Sequence, residues 1–523
     1  MFFVLSAQFG AVQIIGVAYM RYIKSLSFLL CIIILLTMLI GCVPKSPVNI
    51  PETDNSQLNE VDDTSDTTEI QLNDKDTLTD YYFNGKDFNI SVRETTSYEY
   101  TVDESAQMTS VQREVFTRNQ TIQDRFGVKL NYTMSNCANA FRTEFTANLA
   151  NTMSGLAPHQ LLSGHMTVIS PQQYYGYLLD LCSLPEFDIT KEWWSEEIYE
   201  ECNYNGRLYF ASGDIAYTMY EYLEVMFVNE SAFERNKVDF DGKVSELYDL
   251  VREGEWTLEM LILYTTNYAI GLTDVDESER EYGLITNIHS LRSFLAATEA
   301  SFEQRDGNGS VILPENPDTR LSTVTSRIKE NLINKDNILA PSSNDDLRSI
   351  QTPVFASGRA LFYGEQLGQA QYFDMSDDYG IVPLPLYDEI QETYHTTICN
   401  EVSSIAVPSN VSVDEHTMIG VIIEAMCMYG YQMITPEYFG NVLSQRLLGD
   451  EDCQDMLKLV RETFTIDHTL ANTFGYGANH PYAVWKNALY GEKDLATCWA
   501  EKYKSLNGKL TTMKNSIEEL QNN

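Results

Sequence analysis

Four short stretches carry side chains of the kinds that hold a polyhydroxy ligand. Asp214 and Tyr217 follow the turn Ser212-Gly213, and Asn287, His289 and Arg292 follow the strand-like run Gly283-Leu284-Ile285. Tyr363, Glu365 and Gln366 follow Phe362, while Asn400 and Glu401 precede a strand that runs toward Pro408. Sugars present apolar C–H faces that stack on aromatic rings and hydroxyl edges that need carboxylate, amide or guanidinium partners, so a sugar cleft needs both kinds of group together. The chain holds 32 Tyr and 5 Trp. The pair Trp193-Trp194 is the densest aromatic candidate for such a platform, whereas Trp256 is expected to pack in a core.

Catalytic signatures are missing from the same sequence. There is no Gly-x-Ser-x-Gly elbow, no His-Glu-x-x-His and no phosphate loop of the Gly-x-x-x-x-Gly-Lys-Ser/Thr kind. The seven histidines stand far apart, in no metal-ligand spacing. The acidic loop Thr273–Glu279 lacks the glycine that a tight calcium loop needs at its sixth position, and it reads as a solvated loop. No metal and no cofactor is assigned. Two carboxylates for glycoside hydrolysis would be neighbours in space and not in sequence, so an extracellular glycosidase stays open as the rival reading.

The elements that must position these groups alternate in type. Phe88, Ile90 and Val92 mark a strand over Asp87–Arg93; Val111, Val115, Ile122 and Phe126 recur at helical spacing up to Gly127; Val128–Tyr132 alternates again. A helix over about 139–150 precedes the run Leu161-Leu162 and His165–Ile169, which together predict the next buried strand. This order is that of an α/β sheet with mostly parallel strands. Ligands collect at the carboxyl ends of such strands, which makes Ser163-Gly164-His165 a site position.

Ahead of the folded part stands a secretory pattern. Arg21 and Lys24 precede the apolar run Leu26–Ile40, which ends in Leu39-Ile40-Gly41-Cys42. The last four residues look like the lipobox of bacterial lipoproteins, in which the cysteine becomes the first mature residue and carries the lipid. Residues 1–41 are therefore expected to be a signal peptide, with 1–19 a mis-assigned start or an extension of it. Residues 42–80, rich in Asp, Asn, Thr, Ser and Pro, cannot bury enough apolar surface to fold and read as a disordered acidic tether.

The net charge of −40 argues against nucleic acid, which needs clustered Lys and Arg. The same charge repels an anionic membrane surface, so attachment falls to a lipid on Cys42. The remaining cysteines, Cys137, Cys182, Cys202, Cys399, Cys427, Cys453 and Cys498, are an odd, scattered set that reads as small buried hydrophobes. A Cys182–Cys202 bridge is the one pairing worth testing.

Five stretches in register resemble the family 1 extracellular solute-binding proteins, the lipoproteins of carbohydrate ABC importers. Val225–Phe233 resembles the strand, Asn, helix segment that crosses between lobes; Leu250–Leu258 resembles the Trp-Thr helix start; Phe355–Phe362 resembles the Phe-x-x-Gly-Lys/Arg-Ala segment. Tyr379–Pro385 resembles the strand ending in Pro-x-Pro, and Ser403–Pro408 with the helix over about 414–429 completes the pattern. The resemblance runs from about Tyr81 to the C-terminus. It implies an α/β, two-lobed periplasmic-binding-protein-like fold of the class II type, with an interlobe cleft and a hinge.

On that resemblance, 81–225 forms the first part of lobe 1, 226–402 is mainly lobe 2, and 403–523 returns to lobe 1 and adds C-terminal helices. The four stretches above, with His165, Trp193 and Trp194, are expected to face the cleft. His165 stands where relatives often have Asp, a departure that bears on the ligand's identity. The implied function is capture of a carbohydrate, an oligosaccharide, by a monomeric lipid-anchored protein on the outer face of the cell membrane, and its delivery to ABC permease subunits without catalysis. A sensory lipoprotein of the same fold is a further alternative.

Overall fold

The computed structural model describes residues 81–522 together with 76 and 78, except 104, 136–140, 236–243, 269–274, 277, 308, 343–347, 400, 444–446, 448–450 and 473–479. The expected signal peptide, Cys42, all of the tether but Asp76 and Leu78, Cys137, Asn400 and part of the acidic loop Thr273–Glu279 therefore lie outside the described residues.

The first sheet forms where alternation predicts it. In β1 (Lys86–Arg93) the side chains of Phe88, Ile90 and Val92 are buried. Helix α1 (Ser110–Phe126) starts at a reciprocal cap, in which the Thr109 side chain accepts from the Gln112 N–H and the Gln112 side chain accepts from the Thr109 N–H. It stops at Gly127, whose φ of 59° lies in the left-handed region. Strand β2 (Val128–Ser135) then runs parallel to β1 in full register, with Arg93 opposite Ser135. After α2 (Phe141–Met153), β3 (Leu161–His165) joins the other side of β1, again parallel.

One expectation fails here. The strand ends at His165, because the imidazole accepts from the Thr167 N–H and turns Met166–Ile169 into a short helix instead of further strand. The Met166 N–H bonds to the Val402 carbonyl, which fixes that turn.

The second sheet begins with β4 (Glu224–Asn229), which is buried along its whole length. It continues through α3 (Leu258–Tyr268), β5 (Tyr282–Ile285), α4 (Ile288–Ala297), β6 (Ile338–Leu339), α5 (Arg348–Ala356), β7 (Ala360–Gln366) and β8 (Tyr379–Val382). The strand order is β8-β4-β7-β5-β6. Strand β4 runs against β7 and β8, and β5 runs with β7 and β6. The carboxyl ends of β5, β7 and β8 therefore meet the first residue of β4 on one edge. Phe227, Phe355, Tyr363, Phe373 and Tyr379 pack as one aromatic core, with Phe227 edge-on to Phe373 at 4.9 Å. Trp256 is fully buried, as expected, and its indole N–H donates to the Pro383 carbonyl at 2.9 Å.

The chain returns through β9 (Thr396–Thr397) and β10 (Ser403–Ala406). Strand β10 runs antiparallel to β3 and completes the first sheet in the order β10-β3-β1-β2. Between the sheets two segments cross side by side. Leu223 bridges to Ile398, and the Cys399 N–H donates to the Tyr222 carbonyl at 2.9 Å. Two adjacent extended crossings are the hinge of a two-lobed α/β fold.

Helix α6 (His416–Tyr429) is buried on almost every face and continues to Leu443. The run Val413–Leu443 is long and apolar enough to cross a membrane, and 78 % of its apolar window is buried within the protein. Helix α7 (Glu451–Glu462) leads into β11 (Phe464–Thr465), which pairs with β9, and α8 (Pro481–Tyr490) and α9 (Leu495–Asn522) finish the chain. Among the described residues Cys202, Cys399, Cys427, Cys453 and Cys498 are buried thiols, whereas Cys182 is an exposed one, so Cys182 departs from the expectation of burial and forms no bridge to Cys202.

Candidate ligand-binding face

The carboxyl ends of β1 and β3 in one lobe and of β5 and β7 in the other converge on the crossing segments, which is where open α/β sheets place ligands. Arg93 ends β1. Its Nη1 donates to the Glu401 carbonyl at 2.8 Å and its Nη2 to the Tyr222 hydroxyl at 3.2 Å, so one guanidinium touches both crossings.

A 3-10 segment after β1, Glu94–Glu99, carries Tyr98 to the same place. The Tyr98 hydroxyl donates to Glu221 Oε2 at 2.6 Å, and Gln371 Nε2 donates to Glu221 Oε1 at 3.3 Å. Gln371 belongs to the 3-10 segment that follows β7, so a single carboxylate on the crossing chain accepts from both lobes. Burial raises the Glu221 pKa to about 7. The Tyr217 ring stands 5.7 Å from Tyr98 and 5.6 Å from Tyr438, and Tyr372 lies exposed at the rim. Behind them the buried Glu99 carboxylate accepts from the Thr218 N–H at 2.8 Å and the Ser403 hydroxyl at 2.6 Å.

The other end of the face is a polar nest in lobe 2. Glu365 accepts from Asn287 Nδ2 at 3.1 Å, from Arg348 Nη2 at 2.9 Å and from the Gln366 N–H at 2.9 Å. Asn287 is held in place from its other end, where its Oδ1 caps α4 by accepting from the His289 and Ser290 N–H groups. The Gln366 side-chain oxygen accepts from Arg348 at 2.6 Å. Arg292 donates to Cys399 Sγ at 3.4 Å and lies over the Tyr482 ring. Burial, with Arg292 and Arg348 adding to it, pushes the His289 imidazole down to about 3, so it is neutral. Glu224 stands opposite Gln366, fully buried, and neither of its oxygens accepts a hydrogen bond of ordinary geometry from the described residues. Burial first and Glu365 second push its pKa to about 7, against the Ser290 hydroxyl and the two arginines.

The expected site residues do not all come together. Asn287, His289, Arg292, Glu365 and Gln366 share the nest; Glu401 is exposed beside it and offers its backbone carbonyl to Arg93. Tyr217 backs Tyr98, and His165 is half-buried at the end of β3, opposite Ser403. Tyr363 is wholly buried in the aromatic core, its hydroxyl 3.4 Å from Glu365. Trp193, Trp194 and Asp214 gather elsewhere, around a cavity of about 410 Å³ that none of Tyr98, Glu221, Gln371 or Glu365 lines. Both indole N–H groups donate to Glu424, at 2.8 and 3.0 Å, and Asp214 accepts from the hydroxyls of Tyr220 and Thr435.

Tyr98, Glu221, Tyr222, Gln371, Arg348 and Glu224 went unnoticed in the sequence. A signal existed for two of them. Glu221 and Tyr222 immediately precede the crossing strand, the place where a hinge meets a cleft.

No protein-family model matches the chain, and none of the curated proteins matches it. Solved structures do. An ABC substrate-binding protein from Listeria monocytogenes in complex with cycloalternan is 12 % identical, with a TM-score of 0.54 over 82 % of this chain and 99 % of that one. UgpB from Mycobacterium tuberculosis in complex with glycerophosphocholine is 13 % identical, with a TM-score of 0.53 over 82 % and 99 %. The galacto-N-biose/lacto-N-biose I-binding protein of a Bifidobacterium longum ABC transporter, in complex with lacto-N-biose, is 12 % identical, with a TM-score of 0.52 over 83 % and 98 %. The chain therefore has the two-lobed α/β fold of the solute-binding proteins of ABC transporters, the fold that its sequence motifs imply.

Proposed function

We propose that this protein is an extracellular solute-binding protein that captures a carbohydrate, an oligosaccharide, between its lobes and hands it to the permease of an ABC importer. The observation that carries this reading is the Glu221 carboxylate, which accepts from Tyr98 of one lobe and Gln371 of the other beside the hinge. A ligand placed there touches both lobes and favours the closed form over the open one, which is how binding energy becomes a conformational signal. Aromatic rings and paired polar groups lie along the same face, as a saccharide requires.

The reading extends to the segments outside the described residues. Cys42 carries the lipid, 42–80 is the tether, and the lobes divide near 225 and 402. The protein acts as a monomer on the outer face of the membrane and breaks no bond. A thermal-shift panel of mono- and oligosaccharides tests it. A ligand at about 100 times its dissociation constant stabilises by about 2.7 kcal/mol, so a saccharide hit without product supports capture. Release of shorter saccharides would overturn it in favour of hydrolysis.

A further inference from the structure

The Tyr98 end of the face has a chemistry that a neutral sugar does not use in full. Three rings, Tyr98, Tyr217 and Tyr438, stand by the Glu221 carboxylate; Tyr217 is in ring contact with both Tyr98 and Tyr438, and the exposed Tyr372 lies close enough to Tyr217 and Tyr438 to oppose their ionisation. Glu221 is the acid left there without a cation beside it among the described residues: burial raises its pKa to about 7, and an opposite charge at its side would favour the ionised form. Glu99 and Arg118 lie buried behind it: the Glu99 carboxylate is met by Thr218 and Ser403 and feels the charge of Arg93, and the Arg118 guanidinium is met by the carbonyls of Glu99 and Ile215. Arg93 is turned toward the Glu401 carbonyl and the Tyr222 hydroxyl.

A second observation points into the same box. The Tyr438 side chain is 99 % buried, and its hydroxyl has no hydrogen-bond partner of good geometry among the described residues. Buried hydroxyls are normally satisfied. Gln371 is the side chain within reach of this one, and Glu221 and Tyr217 lie close enough to oppose its ionisation, which places the Tyr438 oxygen beside the Glu221 carboxylate.

We propose that this box receives an ammonium group, so that the solute is a small polyhydroxy cation, foremost an amino sugar with a free amine. This rests on the solute-binding reading and narrows it. Tyrosine faces attract a cation through their quadrupole, most strongly when both are desolvated. A partly buried carboxylate is stabilised by an opposite charge and gains nothing comparable from a neutral hydroxyl. An ammonium offers three N–H donors, and Glu221 and the Tyr438 oxygen are both acceptors. The net charge of −40 further concentrates cations over anions near the surface.

Calorimetry on the intact chain in detergent tests this with four probes: glucosaminyl-glucosamine, its di-N-acetylated counterpart, cellobiose and choline. The expected result is that the free-amine disaccharide binds at least tenfold more tightly than the other two disaccharides. That preference collapses in Glu221→Gln and falls in Tyr438→Phe, which keeps the ring. Equal or tighter binding of cellobiose or of the acetylated disaccharide by the wild-type protein overturns the ammonium inference and leaves the saccharide reading standing. Binding of choline with no disaccharide binding supports the ammonium box and overturns the saccharide reading. Binding of none of the four overturns both. Because the wild-type comparison needs no variant, a misfolded Glu221→Gln does not rescue the proposal.

Discussion

The Tyr98 hydroxyl donates to Glu221 at 2.6 Å, joining the 3-10 segment after the first strand to a chain segment that crosses between the lobes 123 residues later. Gln371 of the other lobe takes the second oxygen at 3.3 Å. Opening the lobes must break one of these bonds, so the ligand face and the hinge share a residue.

Tyr98→Phe removes the shorter bond and keeps the ring. A hydrogen bond to a charged group contributes about 1.5–3 kcal/mol, and the half-exposed setting of Tyr98 places this one at the lower end. Ligand affinity should fall about tenfold, with the melting temperature of the unliganded protein little changed. Titration calorimetry beside a thermal scan separates the two. An unchanged affinity would show that the bond plays no part in closure.

Asp214 offers a pH test away from the ligand face. Its carboxylate is buried, and burial raises its pKa from 3.8 to about 6, against the hydrogen bonds from Thr435 and Tyr220. Between those pH values the folded state holds the proton that the unfolded state has released, so stability falls as pH rises through this window. Both hydroxyls donate to the same oxygen, Oδ1, which Asn keeps. Asp214→Asn should therefore be more stable than the wild type at pH 8, by about 1–3 kcal/mol, and equal to it near pH 3.5. Urea melts at the two pH values check this, and a gap of the same size at both would contradict it.

Gly420→Ala probes the packing of α6. A Cβ at this position would lie 1.8 Å from the Pro185 carbonyl oxygen, a backbone atom that cannot rotate away. Overpacking usually costs about 1–3 kcal/mol, and a clash with backbone belongs at or above the top of that range. The urea midpoint should drop sharply. Gly440→Ala, where nothing stands within 4 Å of the new atom, is the control on the same helical run.

Local signals were legible and distant partners were not. Gly127 marks the end of α1 by its own left-handed backbone, and the alternation of Phe88, Ile90 and Val92 reports directly on which face is buried. The nest residues Asn287, Glu365 and Gln366 were legible for a related reason: each stands at or just past the end of a recognisable strand, and strand ends converge. Trp193 and Trp194 show the opposite case. Their composition suits a sugar platform, but Glu424, more than 200 residues away, accepts from both indoles, and no pattern around position 193 reports that. Tyr98 was hidden likewise, since a lone tyrosine in a short 3-10 segment differs from its neighbours only through Glu221.

Arg93 ties the end of β1 to both crossings, and Arg93→Lys tests whether that tie sets the balance between open and closed lobes. The guanidinium reaches the Glu401 carbonyl at 2.8 Å and the Tyr222 hydroxyl at 3.2 Å with separate nitrogens of one planar fork. A lysine ammonium is a single point and cannot span both acceptors. The charge is kept, so steering of the ligand is unchanged, and what is lost is the link between the two crossings. If the tie favours closure, the closed state is less populated and the apparent dissociation constant rises in proportion. We expect a rise of about 3- to 10-fold, with the unliganded radius of gyration in small-angle scattering shifted toward the open form. An unchanged scattering profile with weakened binding would instead place Arg93 in direct contact with the ligand.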